Sequence, residues 1–380
     1  MELALYCPNC GYYERQEDIV GCQGDYYTSV SVGSLFGELL AFQFAEWLQE
    51  IEMPNIEGGT GQEQRSLRLV EAGAHGGDLA RDILRWLQEH RPRLFHRMEY
   101  WIVEPSEVRQ RWQQRKLAEL GNKVRWERDL ASMDKRTFPD ARVRPSVGLR
   151  GIIFCNELLD AMPVHLRGWD AKARVWFEWG VTSQAGLFRW TRIDEEGAWG
   201  GGQQTSASLS ISHLRMHIQS ELQEVLPNGF TTELSPAADQ WWREAATALE
   251  CGKLVTIDYG LTAEEILMPE RKEGTLRGYH CHRLARDVLA NPGQQDITAQ
   301  VNFTAIRAVG ESAGLRTDAF LTQAQFLTSI AARAWKDEGS FGKWTSERTR
   351  QFQTLTHPEH LGRSFRVLVQ ERSSPSVPKH

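Results

Sequence analysis

Leu67-Arg-Leu-Val-Glu71-Ala-Gly73-Ala-His-Gly76-Gly77-Asp78-Leu-Ala-Arg-Asp-Ile-Leu84 is the stretch that decides the fold. It opens as a short apolar run and passes through a glycine-rich turn. It continues with Leu79, Ile83, Leu84 and Leu87 at helical spacing. The run reads as a buried strand and the second half as an amphipathic helix. Strand, glycine turn and helix in that order form the front of a βαβ nucleotide site. Glycines let the backbone approach a ligand, and the helix N-terminus offers free N–H groups.

The turn narrows the ligand. A dinucleotide fingerprint needs G-x-G-x-x-G. Counted from Gly73, His75 and Asp78 stand where the second and third glycines belong, and Asp78 would set a carboxylate beside a pyrophosphate. The Gly-Lys-Ser/Thr ending of a P-loop is missing. Glu71, two residues before the first glycine, suits a ligand with positive charge. S-adenosylmethionine carries such charge on its amino group and its sulfonium. The same stretch also fits an ordinary strand–turn–helix that holds no ligand.

The 380 residues suffice for one large domain or two medium ones. A formal charge of −6 argues against nucleic-acid binding as the main function. No apolar run approaches a membrane span, and the N-terminus has neither a signal-peptide pattern nor an Arg-rich presequence. The default expectation is a cytoplasmic protein with no membrane or nucleic-acid partner. Cys7 and Cys10 form half of a zinc ribbon whose second half is missing. His280 and His282 likewise have no third ligand beside them, so no metal is expected. Cys155, Cys251 and Cys281 read as buried thiols.

Other strand ends carry acids. Glu99-Tyr-Trp-Ile-Val-Glu104 reads as a second strand, and its terminal acid is placed to bind ribose hydroxyls. Pro105 and Ser106 also make Glu104 a helix-start acid, and the helix Glu107–Leu120 should follow. Lys123–Trp126 reads as a third strand, with Asp129 beyond it where an adenine amino group would lie. Gly151–Cys155 is a fourth strand and leads into Asn156-Glu157-Leu-Leu-Asp160-Ala-Met-Pro163-Val164. Ligands of open α/β sheets bind at such ends. Helix capping by Asn156 beside a solvated Asp160 is the structural alternative. Leu254–Gly260 is a fifth strand containing Asp258.

Around this core, Gly24–Ser29 reads as a surface loop able to close over a ligand, and Ser34–Glu50 as a helix. Trp169–Trp190 alternates like an antiparallel hairpin, Glu195–Ser210 reads as a loop, and His213–Leu226 and Pro236–Glu250 as helices. Asp296 is a candidate cap for a helix Thr298–Ala313. A helix near Gln323–Trp335 and a last strand Ser364–Gln370 follow. The expected divisions are an N-terminal loop and helix (1–64), a first core part (65–168), an inserted hairpin and helical unit (169–235), the remaining core with a capping insertion near 261–302 (236–372), and a tail (373–380). Alternating strands and helices make an α/β doubly wound sheet.

Several motifs together resemble the MidA-like family of S-adenosylmethionine-dependent methyltransferases. They are Gly24-Asp-Tyr-Tyr-Thr-Ser29, Phe36-Gly-Glu-Leu-Leu40, the glycine turn and Asn156-Glu-x-x-Asp160-Ala-x-Pro163-Val164. Ile257-Asp-Tyr-Gly260, Gly274-Thr-Leu-Arg277-x-Tyr279 and Pro292-Gly-x-Gln-Asp-Ile-Thr298 complete the set. The mitochondrial members are protein-arginine methyltransferases that assist assembly of respiratory complex I. The resemblance implies a Rossmann-like class I methyltransferase sheet with an inserted hairpin and helical capping elements, and a protein substrate. It implies S-adenosylmethionine held by Glu71, Gly73, Gly76, Gly77, Glu104 and Asp129, with Thr28 and Ser29 closing over it. Methyl transfer to an arginine nitrogen needs carboxylates beside the guanidinium, for which Glu157 and Asp160 are the candidates, with Asn156 positioning the group. His75 departs from the family's Gly-x-Gly-x-Gly turn, and Asn302 stands where an Asp is common. A homodimer, an inactive assembly protein that keeps the fold, and a small-molecule methyltransferase remain compatible with the sequence.

Overall fold

The computed structural model describes residues 1–15, 28–52, 66–137, 148–193, 225–280, 283–336 and 338–373. Gly24–Tyr27 of the lid loop, Cys281, His282, the Glu195–Ser210 loop and almost all of the expected His213–Leu226 helix lie outside them.

Helices of the first half are α1 (Glu2–Tyr6), α2 (Leu35–Glu52), α3 (Asp78–His90), α4 (Pro92–Arg97), α5 (Glu107–Lys116) and α6 (Leu130–Thr137). The strands begin with β1 (Arg68–Ala72), β2 (Glu99–Val103), β3 (Val124–Glu127) and β4 (Leu149–Asn156). Next come β5 (His165–Asp170), β6 (Val175–Gln184), β7 (Leu187–Ile193), β8 (Thr231–Leu234) and β9 (Leu249–Leu261). The last are β10 (Arg277–His280), β11 (Arg283–Leu284), β12 (Asp296–Thr298), β13 (Val301–Asn302), β14 (Arg316–Thr322) and β15 (Phe365–Arg372).

The central sheet has the order β14-β15-β9-β4-β1-β2-β3, with β13 pairing β9. Strands β3, β2, β1, β4 and β9 run parallel, while β15 is antiparallel to both its neighbours. Both faces are covered, which is why these strands read as apolar runs without alternation. On one face Leu69, Tyr100, Ile152, Phe154, Val255 and Val367 pack under α2 and α3. On the other, Val70, Trp101, Ile153, Cys155 and Leu254 pack under α6 and the helix Pro236–Ala248. Parallel strands end together, so every acid at a C-terminal end arrives at one edge.

Two smaller sheets decorate that edge. One has the order β7-β6-β5-β8, the other β11-β10-β12. The expected hairpin is β6–β7, closed by Ala185 and Gly186 at φ +52° and +78°. Positive φ at both turn residues matches the twist of the flanking strands.

Three local expectations are corrected. The helix after Glu104 stops at Lys116, and a 3₁₀ turn carries the chain to β3. The capping insertion near 261–302 holds a short helix, Ala263–Ile266, and the strands β10, β11 and β12. Asp296 does not start a helix: it pairs with Tyr279 in an extended strand, and Ile297 beside it reaches the apolar cluster of Leu5 and Tyr12. The helix begins at Phe303, and Asn302 is its cap, accepting from the Ala305 amide at 3.1 Å. The strand β14 was not anticipated. Its residues Arg316-Thr-Asp-Ala-Phe-Leu-Thr322 carry a weak apolar signal, and pairing with β15 makes the strand.

Candidate active site

A cavity of about 750 Å³ opens at the C-terminal ends of β1, β2 and β4. That volume lies within the range of about 300–1,000 Å³ of small-molecule sites. Its wall contains Thr28, Glu71, Gly73, Gly76, Glu104, Asp129, Asn156 and Glu157.

One wall is built on β1 and β2. Gly73 sits at φ +73°, and a Cβ there would stand 2.9 Å from Leu158 Cδ1. The backbone conformation favours glycine here, and the Leu158 side chain leaves little room for a larger residue. His75 holds φ +45°, in the left-handed region that glycine occupies without strain. Burial, with Arg109 and Lys116 close by, keeps its imidazole well below its usual pKa and thus neutral. Gly77 turns into α3 at φ +88° and does not face the cavity.

Glu71 is buried near the end of β1, and Tyr100 Oη donates to its Oε2 at 2.7 Å. Burial pushes its carboxyl up to about 7. Beyond β2, Glu104 Oε1 accepts from the Ser106 amide at 3.1 Å and Oε2 from Gln113 Nε2 at 3.1 Å. It too is raised by burial. Gln113 also donates to the His75 carbonyl at 2.9 Å and accepts from Trp126 Nε1 at 3.0 Å. One buried amide thus locks the glycine turn, Glu104 and β3 together. Glu104 thus caps its own turn and lines the cavity. Asp129 Oδ1 accepts from the Ser132 amide and hydroxyl, both at 2.7 Å, so it caps the start of α6 from the cavity rim.

The opposite wall is the turn after β4. Glu157 stands at φ +52°, and its amide donates to the Ile257 carbonyl at 2.9 Å. Asn156 Nδ2 donates to Glu157 Oε1 at 3.0 Å, leaving Asn156 Oδ1 buried without a partner among the described residues. The turn is shaped from β9. Asp258 Oδ2 accepts from the amides of Leu158 (3.1 Å) and Leu159 (2.9 Å), and its Oδ1 from that of Tyr259 (2.8 Å). Burial, then the Asp160 charge, pushes Glu157 up to about 8. Asp160 is buried and does not line the cavity. Burial, with Asp258 and Asp296 close by, raises it well above the carboxylate range. The chain continues into β5 and not into a helix, which removes the capping alternative for Asn156 and Asp160.

Thr28 Oγ1 accepts from the Ser31 amide at the cavity edge. The Ser29 hydroxyl points away, donating to buried Gln323 at 2.9 Å, while the Ser29 amide meets the Glu157 carboxyl. Sequence reasoning missed Gln113, Tyr6, Tyr13 and Trp241, all of which line the cavity or organise it.

A protein-family model described as an S-adenosyl-L-methionine-dependent methyltransferase matches residues 39–321. The chain belongs to this family. It is an S-adenosylmethionine-dependent methyltransferase, and the glycine cradle with buried acids on either side fits that cofactor. A solved methyltransferase-like structure from Burkholderia thailandensis, bound to S-adenosyl-homocysteine, is 26% identical with a TM-score of 0.72. The match covers 98% of this chain and 86% of that one. Among curated proteins, the mouse protein arginine methyltransferase NDUFAF7, mitochondrial, is 29% identical over 96% of this chain and 78% of its own. Its human counterpart is 27% identical, over 96% and 77%. These names correct the expected cytoplasmic location, since the relatives are mitochondrial proteins.

Proposed function

We propose that this methyltransferase acts on an arginine nitrogen of a protein, with Asn156 and Glu157 holding the acceptor. The observation that carries the reading is the unpartnered Asn156 Oδ1 beside the Glu157 carboxyl. A buried acceptor oxygen left open costs about 1–3 kcal/mol unless a donor arrives. A guanidinium brings five N–H donors in a plane and a permanent charge. The curated relatives are named as protein arginine methyltransferases, which supports the same acceptor.

In this reading Glu71 and the Gly73–Gly77 turn hold the methionine end of the cofactor, Glu104 its ribose and Asp129 its adenine. Thr28 and Ser29 form the edge on the acceptor side. When bound, S-adenosylmethionine supplies an electrophilic methyl on a positively charged sulfur. The chain's part is orientation and charge. Glu157, neutral while the site is empty, loses its proton as the guanidinium enters. Its carboxylate then draws the positive charge onto the nitrogens that do not attack. Asn156 fixes the plane of the group, and holding two reactants in line supplies much of the rate. Asp160 acts from behind the wall by setting the proton affinity of Glu157. The attacking nitrogen loses its proton after transfer, and Glu157 receives it.

The test incubates the protein with methyl-labelled S-adenosylmethionine and a lysate, then hydrolyses the protein fraction. Label recovered as methylarginine is the expected result. Label confined to small molecules, or cofactor binding without any transfer, would reject the proposal.

A further inference from the structure

The segment Met1–Arg15 is fastened to both walls of the cavity. On the acceptor side, Tyr6 Oη donates to the Ala161 carbonyl at 2.8 Å and Tyr13 Oη to Asp296 Oδ1 at 2.6 Å. On the cofactor side, Ser106 Oγ donates to Glu14 Oε2 at 2.8 Å and Arg109 Nε to the Tyr13 carbonyl at 2.9 Å. Tyr6, Tyr13 and Glu14 all line the cavity. The segment is a strap, and its two tyrosine-bearing parts are joined by Cys7-Pro8-Asn9-Cys10.

These four residues close a turn, with the Cys10 amide donating to the Cys7 carbonyl at 3.2 Å and the Gly11 amide at 2.7 Å. Proline in the second position favours such a turn. A turn of this kind brings its end Cα atoms within about 7 Å, and a disulfide spans about 4.4–6.8 Å. Cys10 is exposed and Cys7 half-buried, and their thiols are hydrogen-bonded to each other. The Asn9 amide, then the Cys10 thiol, holds the Cys7 thiol below its ordinary pKa, which makes it the better attacking sulfur. Gly293 packs so closely on the Cys10 carbonyl that a Cβ would stand 2.2 Å from it, so the turn cannot shift freely.

We propose that Cys7 and Cys10 form a reversible disulfide that clamps the strap on which Tyr6 and Tyr13 meet the cavity. The oxidant is a small-molecule disulfide such as oxidised glutathione. The Cys7 thiolate attacks one of its sulfurs and releases the first glutathione thiolate. The Cys10 thiolate then attacks the Cys7 sulfur of the mixed disulfide and releases the second. Two protein thiols and one glutathione disulfide give one protein disulfide and two glutathione thiols, which take up the two protons. Only the effect on turnover rests on the methyltransferase reading.

The full chain is equilibrated in glutathione buffers of rising oxidised fraction, acid-quenched, alkylated and mapped by peptide mass. The expected result is loss of two hydrogens on the peptide carrying Cys7 and Cys10, in one reversible transition. Amide exchange over residues 2–14 should slow roughly fivefold or more in the oxidised form. Turnover should fall severalfold and recover with reductant. The Cys7→Ser, Cys10→Ser double variant should bind cofactor like wild type and show no redox response. Arrest at the mixed glutathione adduct, a stoichiometric zinc complex of the pair, or identical exchange in both forms would overturn the proposal. Methyl transfer absent from both forms, with the exchange contrast intact, would support the dithiol and count against the acceptor reading.

Discussion

The two walls of the cavity are both acidic, yet they are finished differently. On the wall from β1 and β2 the acids hold fixed donors of the chain itself. Glu71 has the Tyr100 hydroxyl, and Glu104 has the Ser106 amide and the Gln113 side chain. On the wall after β4 the acids hold donors too, Glu157 the Asn156 side-chain amide and Asp258 three backbone amides, but they also crowd one another. Asp258, Asp160 and Asp296 crowd behind Glu157, and Asn156 Oδ1 is open. A wall whose donors are already placed suits a ligand with hydroxyls and a fixed pose. A wall of mutually repelling carboxyls with an unfilled acceptor suits an incoming cation. On the proposed reading the fold divides positioning of the donor molecule from recognition of the acceptor, and substitutions should separate the two.

The largest separation is expected from Glu157→Gln. Turnover should fall about 100- to 1,000-fold, as when a positioned group acting in proton transfer is removed, while cofactor affinity by calorimetry stays within about twofold. A matched loss of affinity would show that the walls are not independent. The converse is Glu104→Ala. A hydrogen bond to a charged group is worth about 1.5–3 kcal/mol, and 1.4 kcal/mol is tenfold in affinity. Cofactor affinity should drop about 10- to 100-fold, and turnover at saturating cofactor should stay within a few-fold. A Glu104→Ala protein that binds cofactor normally would remove this residue from the ribose role.

How much of this contrast could be read from the chain follows the range of the interactions. Strand ends were legible because an apolar run stops at an acid, as at Glu71, Glu104 and Asn156-Glu157. The sheet followed, since runs buried on both faces require helices above and below. Gln113 was not legible. It sits in the polar helix Glu107–Lys116, and its role arises from contacts with His75, Glu104 and Trp126 that only tertiary packing creates. Tyr13 meets Asp296 across most of the chain. Asp296 itself was misread because an acid before Ile-Thr resembles a helix cap, and pairing with β10 overrides that local signal. Asp160 was expected on the acceptor but is buried and does not line the cavity, because the reversal after Glu157 hides its side chain.

The pH dependence of stability sharpens the comparison further. Glu157 and Glu71 are raised to about 8 and about 7, from about 4.3 in an unfolded chain. Between those values the folded protein binds more protons than the unfolded one, so stability falls as pH rises from about 4.5 to 8 and levels off above. Each group contributes at most about 1.4 kcal/mol per pH unit in its window. Melting temperature against pH should therefore slope downward for wild type, and Glu157→Gln should flatten the slope up to pH 8. Saturating cofactor should flatten the Glu71 part instead. A melting temperature that rises with pH over this window would contradict both assignments.

The smallest expected effect probes how the first wall is tuned. Tyr100→Phe removes only the hydroxyl that donates to Glu71 at 2.7 Å, leaving the ring in the core beneath α3. That hydrogen bond favours the ionised carboxylate, whereas burial favours the neutral one. Without the hydroxyl, Glu71 stays protonated to higher pH and meets the cationic end of the cofactor as a weaker partner. Affinity at pH 7 should fall about three- to tenfold and recover as the pH is raised toward 9, because deprotonation restores the charge. Turnover per bound cofactor should not change, since the Tyr100 hydroxyl bonds Glu71 on the wall from β1 and β2. An affinity loss independent of pH would mean that Tyr100 holds the position of Glu71 and not its charge. The first wall would then owe its preference for a cation to geometry alone.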